Sequence, residues 1–381
     1  MNAPASPHRL RSTRAVVDLD AVASNARLLR RKAGDRPLCA VVKADAYGHG
    51  AVPVARRLER EGVERFAVAS LEEGIGLRRG GVTGAVVVLG GAWATEAALC
   101  EAYGLTPAIH DVAQARGLAE ATASFGRPLP VEVELDTGMG RLGVRPELVR
   151  ELAGILQKSR GLMISGVYTQ LASGEDPAPE PTHGQLASLS AGLEVLRRAG
   201  IRPGSVHAAN SGGILAHPEA SADAVRPGVS LYGILPSESL PDPGLVPAME
   251  IDTRVLAVRE VPAGTPLGYG GAFTTRRPSR IATLPIGYHD GLRRSFSGKI
   301  AVLLGGGRAP VVGVVSMDLT LIDATDSGAA PGDRAVLLGR VGSEAVTAWD
   351  LARAAGTIPY EILCGVGSRV PREYGPHGGA A

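Results

Sequence analysis

Short apolar runs alternate with amphipathic segments up to about Gly233, and this alternation restricts the folds open to the chain. Apolar runs between helical patterns are typical of parallel strands that are buried on both faces. Eight strands, each followed by a helix, predict a closed parallel (β/α)8 barrel, and an open doubly wound sheet is the alternative. The strand candidates are Leu38–Lys43, Phe66–Ser70, Ala85–Leu89, Thr106–His110, Val131–Asp136, Met163–Thr169, Ser205–Asn210 and Val229–Gly233.

The helical patterns between these runs carry ordinary start and stop signals. No Gly-x-Gly-x-x-Gly follows the first strand, which counts against a dinucleotide-binding sheet and favours the barrel. The clearest helical patterns are Asp20–Ala33, which we expect to open at an Asp N-cap, Pro146–Ser159, and Gly184–Ala199, which stops at Gly200.

The pattern changes after Ser237, where the segment Ser237-Glu-Ser-Leu-Pro-Asp-Pro-Gly is typical of a linker. The β-rich runs that follow are separated by Gly, Pro and Asp turns and predict a mainly antiparallel β domain with one clear helix, Ala348–Ala355. An early strand, Thr13–Asp18, is expected to join that domain. We therefore predict a barrel, 19–237, and a β domain made of 1–18 with 238–381. The β-rich runs are Met249–Val261, Arg280–Leu284, Lys299–Leu304, Ala309–Val315 and Arg334–Leu338.

Composition excludes several classes of function. The 381 residues carry a net charge of +2 with no block of like charge, which argues against binding to nucleic acid or to a membrane surface. The start of the chain lacks a signal-peptide apolar stretch, and no run approaches membrane-spanning length, so we expect a cytoplasmic protein. The three cysteines, Cys39, Cys100 and Cys364, are far apart, so neither a disulfide framework nor a metal site is expected.

Lys43 is the first candidate for chemistry. It is one of four lysines, and it alone follows an apolar run, Cys-Ala-Val-Val. Side chains at the carboxyl ends of barrel strands face the active site, and partial desolvation there makes an amine nucleophilic. Position alone leaves two possibilities: an amine that forms a Schiff base, or a structural lysine paired with Asp45.

Several separated motifs, in order along nearly the whole chain, resemble those of alanine racemases. The first, Val41-Val-Lys-Ala-Asp-Ala-Tyr-Gly-His-Gly, closely resembles the family's cofactor-lysine motif. The resemblance implies a barrel with a β domain, and pyridoxal 5′-phosphate held by Lys43 as a Schiff base. The other motifs are Asp136-Thr-Gly-Met-Gly-Arg-Leu-Gly, His207-Ala-Ala-Asn-Ser-Gly-Gly, Val225-Arg-Pro-Gly-Val-Ser-Leu-Tyr-Gly, Gly268-Tyr-Gly-Gly-Ala-Phe, Leu284-Pro-Ile-Gly-Tyr-His-Asp-Gly, Ser316-Met-Asp-Leu and Pro359-Tyr-Glu-Ile-Leu-Cys.

By resemblance, five further residues bind the cofactor phosphate. Tyr47 and Tyr360 supply phenolic donors, and Gly228 and Val229 supply backbone N–H groups. Ser211 opens a small-residue stretch after the strand that carries the supporting residue His207, where a helix start presents free N–H groups to an anion.

Arg226 matches the family arginine that faces the pyridine nitrogen of the cofactor. An arginine essentially never releases its proton, so it cannot accept a hydrogen bond from a pyridinium, and the ring nitrogen should stay unprotonated. Such a ring is a weaker electron sink, so the carbanion should be reprotonated quickly and transamination is disfavoured. A structural ion pair is the alternative role for Arg226.

A racemase needs an acid/base group on each face of its planar intermediate. The resemblance assigns one face to Lys43 and the other to Tyr269, from the β domain of a second subunit. The active site is then expected to exist only in a homodimer. A turn tyrosine flanked by flexible glycines is the alternative reading of Tyr269.

The resemblance places further residues around the substrate. Arg141 matches the arginine near the cofactor phenolic oxygen and the substrate carboxylate, and Met317 matches a methionine at the substrate site of the partner subunit. Tyr288 and Asp318 match the substrate entrance. Arg294 falls on an arginine that supports the entrance, in a stretch where the alignment is loose.

Two positions depart from the family. Many members carry a carbamylated lysine where this chain has Glu134, and we infer that Glu134 supplies the negative charge directly and fixes Arg141 without carbon dioxide chemistry. The usual histidine is replaced by Gln170, whose amide is able to hydrogen-bond Arg226 but cannot titrate.

The resemblance implies racemisation of L- and D-alanine by a two-base mechanism on a pyridoxal phosphate external aldimine, supplying D-alanine for peptidoglycan. A racemase of the same fold acting on serine or another small amino acid is the nearest alternative. A barrel decarboxylase pairs its ring nitrogen with a carboxylate, a place that Arg226 takes here. A non-catalytic cofactor carrier lacks the β domain that holds Tyr269 and Met317.

Overall fold

The computed structural model describes residues 11–377, which divide into two compact units. The barrel unit is Ala21–Val246. The β unit combines the described residues up to Asp20 with those from Pro247 onward.

Seven parallel strands, paired in chain order, form the sheet of the barrel unit. Most of their residues are buried, as expected for strands that are covered on both faces. Numbered after β1 (Arg14–Val17), which belongs to the β unit, they are β2 (Cys39–Val41), β3 (Arg65–Val68), β4 (Ala85–Val88), β5 (Leu105–Ile109), β6 (Leu129–Glu134), β7 (Leu162–Tyr168) and β8 (Val206–His207).

The segment 224–227 closes this sheet between β8 and β2. Ala224 pairs with His207 and Val225 pairs with Leu38, both in parallel. Hydrogen bonds of 2.8 and 2.9 Å run from the N–H groups of β2 to the carbonyls of Val225 and Pro227. The predicted closed barrel is confirmed, with this short segment in the eighth strand position.

The eighth strand was predicted in the wrong place. The run Val229–Gly233 forms a 3-10 turn, Val229–Tyr232, and ends at Gly233 with a φ of 80°. The turn is fully buried, and a short buried apolar run cannot be assigned to strand or helix by periodicity alone. The other seven predicted strands overlap β2–β8, with ends displaced by a few residues.

Helical segments follow the strands of the barrel. Asp18, and not the predicted Asp20, caps the first helix, because its Oδ1 accepts the Asp20 N–H at 2.8 Å. The segments are α1 (Leu19–Lys32), α2 (Lys43–Tyr47), α3 (Ala51–Glu59), α4 (Leu71–Arg79), α5 (Ala97–Tyr103), α6 (Val112–Ala121), α7 (Val149–Lys158), α8 (Pro179–Arg198) and α9 (Ser211–Ala216).

The β unit is built on a mainly antiparallel sheet of ten strands, in the order β10-β13-β16-β15-β14-β17-β9-β1-β19, with β18 paired to β17. β1 pairs antiparallel with β9 and parallel with β19, so the expectation that an early strand joins this domain is confirmed. The short strands β11 and β12 form a separate pair, which the sequence did not predict.

The elements of the β unit follow. The strands are β9 (Met249–Arg254), β10 (Ala257–Val261), β11 (Pro266–Leu267), β12 (Phe273–Thr274), β13 (Ser279–Leu284), β14 (Ala301–Leu304), β15 (Gly307–Val312), β16 (Thr320–Asp323), β17 (Arg334–Val341), β18 (Glu344–Val346) and β19 (Arg372–Tyr374). The helices are the predicted α10 (Ala348–Ala355) and an unpredicted α11 (Pro359–Cys364).

Candidate active site

Lys43 lies just beyond the carboxyl end of β2 and is half-buried. The four residues that follow it, 44–47, all have φ between 52° and 55°, so α2 is a left-handed turn. This conformation costs about 1–2 kcal/mol for each residue other than glycine. Contacts elsewhere in the barrel must therefore hold the turn in place.

Two carboxylates hold the left-handed turn. Glu73 accepts the Ala44 N–H at 2.7 Å with one oxygen and the Ala69 N–H at 2.7 Å with the other. Asp45, considered above as a partner for Lys43, accepts the Ala51 N–H at 2.7 Å and so binds the start of α3. The backbone around Lys43 is thus fixed from both sides.

Tyr47, Ser211 and Gly228 form a buried cluster, which we call the hydroxyl–amide cluster. The Ser211 hydroxyl accepts the N–H groups of Gly228 at 2.9 Å and of Ser230 at 3.3 Å. A Cβ at Gly228 would lie 2.6 Å from the Tyr47 hydroxyl, so only glycine leaves room for that hydroxyl. Hydroxyls and backbone amides are common ligands of phosphate, and this donor set fits the phosphate of pyridoxal 5′-phosphate. Val229, the next residue, begins the 3-10 turn.

Arg226 is buried, and its guanidinium is surrounded by hydrogen-bond acceptors. Its Nη1 donates to His207 Nδ1 at 2.7 Å and to the His207 carbonyl at 2.9 Å. Its Nη2 donates to the Thr169 carbonyl at 2.6 Å. The guanidinium carbon also lies 4.8 Å from the centre of the Tyr168 ring. These contacts fix the position and the plane of the guanidinium.

The partners of His207 define its protonation. Because Arg226 can only donate, His207 Nδ1 must accept, and Nε2–H then donates to the carboxylate of Glu132 at 3.0 Å. Burial lowers the pKa of His207, although Glu132 opposes this effect. Burial also disfavours the charged form of Glu132, but His207 and Arg65 outweigh it and lower the pKa of that carboxyl. A neutral His207 therefore lies between an ionised Glu132 and Arg226.

The carboxylate of Glu134 has other partners than those predicted. It accepts the Tyr168 hydroxyl at 3.2 Å, and His110 Nδ1 lies 3.0 Å from the same oxygen. Among the residues that the structure describes, no hydrogen bond joins Glu134 to Arg141, which lies exposed beyond β6. The inferred direct contact between these two side chains is absent in the isolated chain.

Gln170 contacts Arg226 only weakly. Its Oε1 is 3.5 Å from Arg226 Nη2, at the limit of a hydrogen bond, whereas the Thr169 carbonyl is at 2.6 Å. The amide nitrogen of Gln170 donates to the Leu171 carbonyl at 3.3 Å. The expected amide contact is present, and backbone carbonyls dominate the binding of the guanidinium.

Tyr269 belongs to the β unit, between the paired strands β11 and β12. It is 74% exposed, and the glycines around it, Gly268, Gly270 and Gly271, have φ of 71°, 67° and 58°. This turn requires glycine at all three positions, since other residues rarely adopt such backbone angles. The turn presents the phenol to the surface of the unit.

Tyr288, Met317 and Asp318 lie on two neighbouring loops of the β unit. The Tyr288 N–H donates to the Ser316 carbonyl at 2.9 Å, which joins the loops. A Cβ at Gly287 would lie within 2.4 Å of the Met317 backbone, so the loops approach as closely as glycine allows. The three predicted entrance and substrate residues are thus brought together.

Asp290 stabilises these two loops through its carboxylate. Its buried carboxylate contacts Arg11 at 2.7 Å and Arg369 at 2.6 Å, and it accepts the Gly287 N–H at 3.0 Å. Arg369 also reaches Asp318 at 2.6 Å. Burial favours the protonated acid, but hydrogen bonds from the two arginines outweigh it and lower the pKa of Asp290 to about 2.

Two adjacent arginines, Arg293 and Arg294, lie in the stretch where the alignment is loose. Arg293, and not Arg294, pairs with Glu361 at 2.8 Å, and Glu361 follows the predicted site residue Tyr360 in α11. Arg294 is exposed. The entrance role that the resemblance gives to Arg294 stays a prediction.

Four residues in the network around Arg226 were also missed: the half-buried Arg65 and the buried His110, Glu132 and Tyr168. The sequence offered one signal for Glu132. It lies two residues before Glu134 in β6, and alternate residues of a strand share a face.

None of the described residues forms a helix long and apolar enough to cross a membrane. Within 11–377, no group of three or more side chains is arranged to hold a metal ion.

Family models and solved structures match nearly the whole chain. The model described as alanine racemase, N-terminal domain, matches residues 17–236, and that described as alanine racemase, C-terminal domain, matches 248–374. An alanine racemase of Symbiobacterium thermophilum is 43% identical over 96% of this chain and 98% of its own.

Two solved structures agree over a similar extent. The alanine racemase from Streptomyces lavendulae has a TM-score of 0.90 and 34% identity, covering 96% of this chain and 97% of its own. That from Bartonella henselae, which carries covalently bound pyridoxal phosphate, has a TM-score of 0.86 and 32% identity, covering 95% and 99%. The chain belongs to the alanine racemase family.

Proposed function

We propose that the protein interconverts L-alanine and D-alanine with pyridoxal 5′-phosphate and supplies D-alanine for peptidoglycan. The observation that carries this proposal is the arrangement of Arg226, whose guanidinium is fixed by a neutral His207 at 2.7 Å within the barrel that also bears Lys43. The proposal is supported by relatives that match this chain over nearly their full length and are named alanine racemases.

Pyridoxal 5′-phosphate, when bound, supplies the electron sink that makes the substrate Cα–H acidic. The hydroxyl–amide cluster of Tyr47, Ser211 and Gly228 would bind its phosphate, with Val229 and Tyr360 as further ligands. The Lys43 amine would hold the cofactor and exchange a proton at the substrate Cα on one face. The phenol of Tyr269 would do so on the other.

Arg226 would favour racemisation over transamination. Its donors cannot become acceptors, so a ring nitrogen facing it stays unprotonated. The chain therefore favours rapid return of the proton to Cα over transfer of the amino group. Arg141 would bind the substrate carboxylate, because a guanidinium carries a permanent charge and two parallel donors.

We propose a homodimer with shared sites. Tyr269 is 74% exposed and Met317 is 51% exposed in the single chain, which is high for apolar or aromatic side chains. A second copy would cover both side chains. Tyr269 and Met317 of each subunit would then complete the barrel site of the other subunit, with Tyr288 and Asp318 at the entrance.

The substrate is tested by racemisation assays of the purified holoenzyme on alanine, serine and lysine. We expect kcat/KM to be highest for alanine. A higher value for serine would favour the alternative racemase, and release of carbon dioxide would indicate a decarboxylase. Bound cofactor without racemisation would indicate a carrier protein.

A further inference from the structure

A row of four polar side chains crosses the neighbouring strands β5 to β8. The strand register pairs Glu134 with Tyr168, and Tyr168 with His207. Ile109 pairs with Val133, which brings the next residue, His110, beside Glu134. All four side chains are buried, so the row lies in the interior of the barrel unit.

β6 contributes two carboxylates to this region, each against an imidazole. Glu132 and Glu134 are two residues apart and so share a face of the strand. Glu132 lies 3.0 Å from His207, and Glu134 lies 3.0 Å from His110. The first pair binds Arg226 directly, and the second pair has no such contact.

Tyr168 connects the second pair to Arg226. Its hydroxyl donates to Glu134 at 3.2 Å. Its ring stacks on His207 with centroids 5.2 Å apart and planes within 5°, and it lies under the guanidinium of Arg226 at 4.8 Å. A movement of Glu134 would therefore shift the ring on which Arg226 rests.

The burial of the His110 imidazole is not explained by its hydrogen bonds. It is 7% exposed, and neither ring nitrogen makes an aligned hydrogen bond within the described part of the chain, although Nδ1 comes close to Glu134. A buried polar group without an aligned partner costs about 1–3 kcal/mol. Such a cost in a native protein calls for a compensating role.

We propose that His110 is a positioning residue for racemisation: it holds the Glu134 carboxylate, which fixes Tyr168 and, through its ring, Arg226. This inference rests on the proposed function, because Arg226 matters only if it faces the cofactor. A buried carboxylate needs more than one donor, and Tyr168 supplies one. His110 Nδ1 lies 3.0 Å from the same carboxylate oxygen, where a small rotation of the ring would make its N–H the second donor.

The test compares His110→Asn with His110→Gln in the full-length holoenzyme. The side-chain nitrogen of asparagine takes the place of Nδ1 and keeps a donor beside Glu134, whereas that of glutamine takes the place of Nε2. Tyr168→Phe removes the hydroxyl that Glu134 holds, and the double variant His110→Gln/Tyr168→Phe completes the cycle. His183→Gln is the control, because His183 lies 3.1 Å from Glu219 in an exposed pair on α8.

Four quantities are measured: kcat, KM, the dissociation constant of pyridoxal 5′-phosphate, and its absorbance band in the protein. We expect His110→Gln to lower kcat/KM about tenfold and to weaken cofactor binding or shift the band, whereas His110→Asn stays within about twofold of the wild type. The kcat/KM of the double variant should be no lower than that of Tyr168→Phe, because both substitutions break the same connection from Glu134 through Tyr168 to Arg226. His183→Gln should match the wild type.

Equal behaviour of His110→Gln and His110→Asn would overturn the inference, as would effects that multiply in the double variant. Unfolding midpoints of all variants show whether a loss of activity is only a loss of folded protein. If the wild type neither binds the cofactor nor racemises alanine, the proposed function fails. If the wild type is active and His110→Gln is unaffected, only this inference fails.

Discussion

Arg226 shows how a single residue is fixed by its surroundings. Its two terminal nitrogens bind His207 and the Thr169 carbonyl, and its plane rests on Tyr168. The sequence predicted the residue through a motif, but not these partners. His207 lies 19 positions from Arg226 in the chain, and Thr169 lies 57 positions away. No sequence periodicity reveals these contacts, because the residues meet only where β7, β8 and the closing segment are adjacent.

Arg226→Lys tests the importance of the forked guanidinium. A lysine keeps the charge but places one nitrogen where two now donate, so contacts to His207 or to the Thr169 carbonyl are lost. We expect kcat to fall at least about tenfold, since each charge-assisted hydrogen bond contributes about 1.5–3 kcal/mol. Steady-state racemisation kinetics measure the effect.

The control for this change is Arg116→Lys, at an exposed pair with Glu151. It should leave kcat unchanged. Equal kcat for Arg226→Lys and the wild type would contradict the role assigned to Arg226.

At the scale of elements, most strands and the longer helices were predictable, because apolar runs and amphipathic patterns report burial directly. The exceptions have physical causes. Val229–Gly233 is apolar because its 3-10 turn is buried, and α2 is left-handed, which no hydrophobic pattern reveals. The left-handed turn depends on Glu73, a residue of α4, so tertiary contacts decide the conformation of residues 44–47.

Ala44→Gly tests the strain in this turn. Glycine adopts a φ of 52° at little cost, which offsets the greater flexibility that it gives the unfolded chain. We expect the free energy of unfolding to stay equal or to rise. Chemical denaturation of the cofactor-free and cofactor-bound protein measures it.

Ala191→Gly is the matched control, because Ala191 is also exposed but lies within the right-handed helix α8. It should lower the free energy of unfolding by about 1 kcal/mol. A similar loss for Ala44→Gly would show that the turn is not strained.

At the scale of the whole molecule, the division into barrel and β domain followed from the change of pattern near Ser237. The β unit is where the sequence was least informative, since short strands such as β11 and β12 carry little signal. Its long-range ion pairs, such as Asp290 with Arg11 and Arg369, join segments from both ends of the chain and could not be foreseen.

Asp290 should make the stability of the β unit depend on acid pH. Its pKa of about 2 in the folded state is below the ordinary value of 3.8, so its contribution is complete above pH 3.8 and is lost as the pH falls toward 2. The shift corresponds to about 2 kcal/mol. Asp290→Asn should lower the free energy of unfolding at neutral pH, and the difference from the wild type should narrow between pH 4 and pH 2.

Denaturation curves at several pH values measure this difference. Asp326→Asn, at an exposed pair with Arg277, is the control and should change little. A difference between Asp290→Asn and the wild type that stays constant with pH would refute the account.

The proposed dimer is tested by mixing two inactive variants, Lys43→Ala and Tyr269→Phe. In a mixed dimer, one site would combine both substitutions and the other would be intact. Random pairing should then restore about a quarter of the wild-type activity. No recovery after unfolding and refolding the mixture, under conditions where the wild type recovers, would show that each site uses one subunit.

The most direct test of the account asks which amine carries the cofactor. Borohydride reduction fixes pyridoxal 5′-phosphate to the lysine that holds it, and mass spectrometry of peptides then locates the label. The chain has four lysines, and the three other than Lys43, namely Lys32, Lys158 and Lys299, serve as internal controls. We predict a label on Lys43 alone, and a label on any other lysine, or no label in the reduced holoenzyme, would contradict the central claim.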